Sequence, residues 1–203
     1  MKIFCIGRNY VDHVKELNNV IPDAPVIFMK PDTALLKDEE PFYHPAFSQD
    51  IHHEVELVIR INRVGKKIQK EFASKYYKEI GLGIDFTARD VQAQQKAKGL
   101  PWEIAKGFDG SAPIGEFISV ENIKDLKNLN FSLTKNGTMV QQGNSSLMMY
   151  SFDDIIHYIS QYFTLKVGDL IYTGTPAGVG KVEIGDVLEG FIEGEKMLHC
   201  EVK

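Results

Sequence analysis

Residues 54–61 read EVELVIRI. Val55, Leu57, Ile59 and Ile61 alternate with Glu54, Glu56, Val58 and Arg60, the period-two pattern of a strand with one buried face. The spacing predicts a strand over Glu54–Ile61. Its aliphatic face packs on the core, so the face carrying the two glutamates looks onto solvent or into a cleft. Glu54 and Glu56 project from that same face, with Cα atoms roughly 6.6 Å apart. Two carboxylates at that separation can converge on one ion. They can equally be two solvated acids, the commoner fate of such a pair.

Most of the chain reads as short strands joined by turns. Ile80–Ile84 reads as a second apolar strand, preceded by a short helix over Phe72–Glu79. Asp85 ends the strand and Thr87–Lys98 reads as a helix, stopped by Gly99 just past its end. Asp85 is therefore either a helix cap or a third acid for the same ion. Phe131–Lys135 and Met139–Gln142 flank Asn136-Gly137, the strongest short hairpin signal. Phe152, Ile155, Ile156 and Ile159 fall at helical spacing, so Phe152–Tyr162 is an amphipathic helix. Toward the C-terminus, Gly168-Asp169, Gly185-Asp186 and Gly194-Glu195 punctuate strands at Leu170–Tyr172, Val187–Ile192 and Met197–Val202. Upstream, Ile3–Ile6 and Val26–Met29 read as short strands around a helix at Asn9–Leu17, with Asn9 as its N-cap. The stretch 31–49, rich in Asp, Glu and Pro, reads as a loop and a candidate mobile lid. The pattern is α+β, mainly β, with a sandwich- or barrel-like core and a few peripheral helices.

The 203 residues fit one domain, 1–203, with no linker or internal repeat. A net charge of −5 argues against a nucleic-acid partner, which usually demands a basic face. No apolar run reaches membrane-spanning length, and the start, MKIFCIGRNY, is too short an apolar run for a secretory leader. The expected location is the cytoplasm, where Cys5 and Cys200 stay reduced and buried.

Longer motifs then appear in a fixed order: Gly7-Arg8-Asn9-Tyr10-x-x-His13-x-x-Glu16; Phe28-Met29-Lys30-Pro31; His52-His53-Glu54-x-Glu56; Gly83-Ile84-Asp85-x-Thr87-x-Arg89-Asp90-x-Gln92; Gly99-Leu100-Pro101-Trp102-x-x-Ala105-Lys106-Gly107-Phe108-Asp109; and Thr173-Gly174-Thr175-Pro176-x-Gly178-Val179-Gly180. Together they resemble the fumarylacetoacetate hydrolase family over nearly the whole chain, most closely its single-domain acylpyruvase and oxaloacetate decarboxylase branch. The resemblance implies a mixed, strongly curled β-roll, commonly a homodimer. It implies Glu54, Glu56 and Asp85 as ligands of Mg²⁺ or Mn²⁺, His13 and Glu16 as a catalytic dyad, and Lys106 as a lysine near the substrate. Arg8, Lys30, Arg89, Gln92 and Thr175 match residues that line the substrate pocket or lie directly behind it.

The residue types suit that chemistry. Oxygen ligands select hard divalent cations. A 2-oxo acid can chelate such a cation, which polarises its carbonyl and stabilises an enolate. His13 and Glu16 are three apart on one helix face, so the carboxylate can fix the imidazole's tautomer and His13 can act as a general base; an isolated pair of this kind is ordinarily a surface ion pair. Lys106 suits a developing oxyanion, although a lysine is ordinarily a surface residue. The turn Thr173–Pro176 offers N–H groups and a hydroxyl to a substrate carboxylate. The expected reaction is hydrolysis of acylpyruvates, decarboxylation of oxaloacetate, or both. An isomerase of 2-hydroxy-dienedioates and a non-catalytic metal-binding β-domain remain alternatives.

Overall fold

The computed structural model describes residues 1–17, 20–37 and 40–203. In chain order its elements are β1 (Ile3–Gly7), α1 (Val11–Glu16), β2 (Val26–Lys30), β3 (Leu35–Leu36), β4 (Ile51–His53), β5 (Val55–Ile61), β6 (Tyr77–Ile84), β7 (Thr87–Ala88), α2 (Arg89–Lys98), α3 (Glu103–Lys106), β8 (Ala112–Ser119), β9 (Asn130–Lys135), β10 (Thr138–Asn144), α4 (Phe152–Tyr162), β11 (Leu170–Tyr172), β12 (Gly180–Lys181), β13 (Val187–Ile192) and β14 (Glu195–Glu201). The fold is mainly β, a curled mixed half-barrel sheet with few helices. Its largest sheet runs β2-β1-β11-β5-β6-β8-β3. It is mixed because β1 pairs β11, and β3 pairs β8, in parallel, while the other pairings are antiparallel. A four-stranded antiparallel sheet, β10-β9-β13-β14, packs over it, and β12-β4-β7 forms a small third sheet.

The alternation in 54–61 divides two buried layers. Val55, Leu57, Ile59 and Ile61 join the main core between the sheets, with Leu82, Leu133 and Leu188. Val58, on the other face, is itself fully buried in a second cluster with Ile3, Cys5 and Tyr172. The glutamate face is therefore an interior wall rather than a solvated one. Burial on both faces is the rule for a central strand roofed on both sides.

The hairpin at Asn136-Gly137 forms as expected, both residues taking positive φ. So does the helix Phe152–Tyr162, which buries Phe152, Ile155, Ile156 and Ile159 and starts with a reciprocal capping box between Ser151 and Asp154. Gly99 ends α2 in the left-handed conformation. Other expectations shift. The segment before β6 is a 3₁₀ turn, Lys70–Tyr76, and β6 begins at Tyr77. Thr87 and Ala88 pair with β4 instead of opening α2, so Asp85 is not its N-cap. Nor does Asn9 cap α1, whose N-cap position is Tyr10. The Asn9 side chain instead bonds the backbone of Tyr150 and Thr173, tying β1 to the turn after β11.

The candidate lid is pinned along its described part. Leu35 and Leu36 pair with Ala112 and Pro113, and Ala34 is buried. Phe42 stacks on Phe86 and exchanges backbone bonds with Glu201 and Lys203. Cys5 and Cys200 are free and buried. No helix among the described residues is long and apolar enough to cross a membrane.

Candidate active site

Strand register assembles the acids. β5 and β6 pair with Val55 opposite Ile84 and Glu56 opposite Gly83, so Asp85, one step past β6, faces Glu54. The Asp85 N–H donates to the Glu54 carbonyl at 2.8 Å. Glu54, Glu56 and Asp85 each turn a carboxylate oxygen to a common point, all within 4.8 Å of one another, and all three residues are buried. They form the floor of a cleft whose walls include Arg8, His13, Phe28, Arg89, Gln92, Lys96, Trp102, Lys106 and Thr175.

Three buried carboxylates repel one another, and cations offset them unevenly. Lys106 Nζ donates to Glu54 Oε2 at 2.7 Å and to Asp85 Oδ2 at 2.6 Å. Arg89 pairs with Glu54 Oε1, and Lys30 Nζ lies 2.8 Å from Asp85 Oδ1. Burial opposes the charge on Glu54, yet Lys106 and then Arg89 hold its carboxyl well below the usual range. Burial also opposes the Lys106 ammonium, but Asp85 and Glu54 raise its pKa. Among the described residues Glu56 receives the Gly174 N–H alone, at 2.7 Å. Burial and then Asp85 push its carboxyl well above the usual range, against that hydrogen bond. The arrangement fits a divalent cation: three hard oxygen donors converge, an ammonium already bridges two of them, and a further positive charge would relieve the third.

Across the cleft, His13 and Glu16 share one face of α1. His13 Nδ1 lies 3.3 Å from Glu16 Oε2, and Glu16 Oε1 accepts the Gly178 N–H at 2.9 Å. Glu16 can only accept, so the imidazole proton sits on Nδ1 and Nε2 keeps its lone pair. Burial lowers the His13 pKa, opposed by Glu54 and Glu16, so the ring is neutral and able to take a proton. Gly178 has a φ of 97°, and a Cβ there would lie 2.3 Å from the Val140 carbonyl. Only glycine fits that approach.

Among the residues expected around a substrate, Arg8, Arg89, Gln92, Lys106 and Thr175 reach the cleft wall. Arg89 donates to Gln92 Oε1 at 2.9 Å, leaving the Gln92 amide N–H groups as its remaining donors. Lys30 does not reach the wall. It is buried behind Asp85 and bonds the carbonyls of Phe86, Lys106 and Ser111 and the Ser111 hydroxyl. The Thr173–Pro176 turn offers less than its sequence suggests. Gly174 N–H is taken by Glu56 and the Thr173 hydroxyl by the Leu57 carbonyl, so the residue of this turn that faces the cleft is Thr175, whose hydroxyl lies 3.5 Å from the Pro176 carbonyl. Sequence reasoning missed Ser111, Lys96 and the glutamine behind Thr175, Gln141. None sits in a motif with a spacing of its own.

Residues 2–203 match the family model described as fumarylacetoacetate (FAA) hydrolase C-terminal. The chain is 43% identical over 201 residues to the mitochondrial oxaloacetate tautomerase FAHD1 of Mus musculus, covering 99% of this chain and 91% of that protein. It is 45% identical over 194 residues to the mitochondrial oxaloacetate decarboxylase of Dictyostelium discoideum, covering 95% and 89% respectively. The crystal structure of fumarylpyruvate hydrolase from Pseudomonas aeruginosa in complex with Mn²⁺ and pyruvate superposes with a TM-score of 0.94 at 33% identity, covering 100% of this chain and 89% of that one.

Proposed function

The chain belongs to the fumarylacetoacetate hydrolase family, and from that premise we propose that it is a divalent-metal-dependent enzyme that cleaves short 2-oxo acids through an enolate. Its reactions are decarboxylation of oxaloacetate and C–C hydrolysis of acylpyruvates, with residues 1–203 acting as one catalytic domain. The observation that carries the reading is the convergence of Glu54, Glu56 and Asp85 opposite the His13–Glu16 pair, in one cleft lined with cations. The relatives named for oxaloacetate, and the neighbour solved with Mn²⁺ and pyruvate, support the substrate class and the metal.

Glu54, Glu56 and Asp85 would hold Mg²⁺ or Mn²⁺. When bound, that cation supplies Lewis-acid polarisation of the 2-oxo carbonyl. The Gln92 amide and Thr175 hydroxyl bind and orient the oxo-acid head. The Lys106 ammonium stabilises the negative charge that develops on oxygen. In decarboxylation the C–C bonding electrons stay with the pyruvate fragment as CO₂ departs, and no base is required. In hydrolysis, His13 Nε2 removes a proton from water as it attacks the distal carbonyl, and Glu16 steadies the imidazolium. The pyruvate enolate leaves and is protonated at carbon.

The name borne by the mouse relative supports a second reading, tautomerisation of oxaloacetate. That reaction also passes through an enolate and needs only the proton carrier. Isomerisation of 2-hydroxy-dienedioates would use the same parts. The test is an assay of the purified protein with Mg²⁺ or Mn²⁺ on oxaloacetate (CO₂ release and enol–keto exchange), acetylpyruvate and a 2-hydroxy-dienedioate. CO₂ release or acetylpyruvate cleavage abolished by EDTA and by Glu54→Ala is the expected result. Turnover that survives both would overturn it. The homodimer is a further proposal, checked by light scattering.

A further inference from the structure

One buried side chain outside the cleft hydrogen-bonds a cleft hydroxyl. Gln141 lies on β10 of the second sheet and is 1% exposed. The pairing of β10 with β9 slips between Met139 and Gln141, a bulge at Val140. Such a bulge re-aims the side chain that follows it. Here it carries Gln141 across to the site, where the amide fills all four of its hydrogen-bonding positions. Oε1 accepts from Val55 N–H at 3.0 Å and pairs with His53 Nδ1 at 2.9 Å. Nε2 donates to the Pro176 carbonyl at 3.0 Å and to Thr175 Oγ1 at 2.8 Å.

The orientation of this amide is not arbitrary. A backbone N–H can only donate and a carbonyl can only accept, so Val55 and Pro176 at opposite ends fix which atom is oxygen and which nitrogen. Oε1 can only accept, so His53 carries its proton on Nδ1. Nε2 can only donate, so Thr175 Oγ1 is an acceptor toward Gln141. The Thr175 hydroxyl proton must then point elsewhere. The Pro176 carbonyl is 3.5 Å from Oγ1, long for an O–H donor, and already takes the other Gln141 N–H. The remaining direction is the cleft, which Thr175 lines.

We propose that Gln141 is a positioning residue that presets the Thr175 hydroxyl as a hydrogen-bond donor to the oxo-acid head of the substrate. The same amide holds Val55, between Glu54 and Glu56, against the turn that carries Thr175. It therefore sets the spacing between the carboxylate floor and the donor above it. An unset hydroxyl spends part of its time turned away, and a ligand must order it on binding. The inference rests on the functional reading above.

The test is calorimetric titration of oxalate into the Mn²⁺-loaded protein, for wild type, Gln141→Met, Thr175→Val, Thr175→Ser and the Gln141→Met/Thr175→Val double variant. Gln141→Leu replaces the Met variant if that one does not fold. Gln141→Met and Thr175→Val should each weaken oxalate about tenfold, or ~1.4 kcal/mol. The double variant should bind no more weakly than Thr175→Val alone, because the glutamine acts through the threonine. Thr175→Ser, which keeps the hydroxyl, should lose less oxalate affinity than Thr175→Val. Wild-type oxalate affinity in Gln141→Met would overturn the inference. So would a full further loss on adding Gln141→Met to Thr175→Val, or a loss of Mn²⁺ affinity as large as the loss of oxalate, since either makes Gln141 scaffold only. A wild-type protein that takes up Mn²⁺ but not oxalate would overturn the functional reading, and this inference with it.

Discussion

The Lys106 ammonium sits 2.6 Å from Asp85 Oδ2, deep in the cleft and shielded from solvent. With its second bond to Glu54 it bridges two of the three acids and acts as their internal cation. Removing one partner of a buried ion pair strands the other in low dielectric, at a cost of about 3–5 kcal/mol. Lys106→Met should therefore lower the melting temperature steeply in EDTA. Added Mn²⁺ should recover most of that loss, because the ion restores positive charge beside Glu54 and Asp85, whereas turnover should stay abolished. Thermal melts with and without Mn²⁺ check both arms. A variant as stable as wild type in EDTA would show that Lys106 is not the counter-charge.

Glu56 behaves differently, because no cation among the described residues pairs with it. Glu56→Gln removes a like charge from the group while keeping an oxygen to accept the Gly174 N–H. In EDTA the variant should be at least as stable as wild type. Stabilisation by metal follows RT ln(1 + [L]/Kd), about 2.7 kcal/mol at a hundredfold excess over Kd. That gain should largely vanish in Glu56→Gln. The pair of melts in EDTA and Mn²⁺ measures it, and an undiminished Mn²⁺ shift would remove Glu56 from the ligand set.

These contrasts mark where the sequence was legible. Alternation in 54–61 revealed the strand and the paired glutamates, and Asn136-Gly137 revealed the hairpin. What it hid was register. Nothing local states that Val55 pairs with Ile84, yet that pairing turns Asp85 from a plausible helix cap into a neighbour of Glu54. Strand β8 contains Pro113 and Gly115, two residues that weaken a strand pattern. Gly115 is there because the Met197 carbonyl packs where its Cβ would be, at 1.9 Å. Gln141 escaped because its meaning lies wholly in partners 34 to 88 positions away. The in-register motifs named most of the residues that the fold brings together, though not Lys96, Ser111 or Gln141, and only the fold shows which cation pairs with which acid.

Gly178 links the second sheet to the His13–Glu16 pair. Its N–H anchors Glu16 Oε1, and its missing side chain lets the Val140 carbonyl approach. Gly178→Ala puts a Cβ at positive φ and against that carbonyl, a backbone clash that no rotamer relieves. It should cost about 1–3 kcal/mol in stability. It should also cut acetylpyruvate hydrolysis more than oxaloacetate decarboxylation, because Glu16 loses its anchor and His13 its orienting carboxylate. Denaturant melts and the two assays run side by side check this. Equal losses on both substrates would mean that the substitution acts only through the fold.

The pH dependence of hydrolysis follows from His13. Burial holds its pKa below the ordinary histidine value, with Glu54 and Glu16 pulling the other way. A base must be deprotonated to act, so activity is lost as pH falls through the pKa of the imidazole in the site. The acid limb of kcat/KM for acetylpyruvate should therefore lie below the ordinary histidine range. Glu16→Gln removes the carboxylate that favours the imidazolium, so the limb should move to still lower pH while the rate at its plateau falls by no more than about 10²–10⁴-fold, the usual worth of the base that Glu16 orients. The stability consequence has the same slope as that of a paired acid, whose pKa folding also lowers. A histidine whose folded pKa is depressed costs stability as pH drops below its unfolded value, because the unfolded chain binds the proton more readily. His13→Ala should accordingly flatten the decline in stability between neutral and mildly acidic pH. Decarboxylation of oxaloacetate, which needs no base, should retain activity in His13→Ala and lack this limb. Equal loss of both reactions in His13→Ala would assign His13 to substrate binding or to protonation of the enolate.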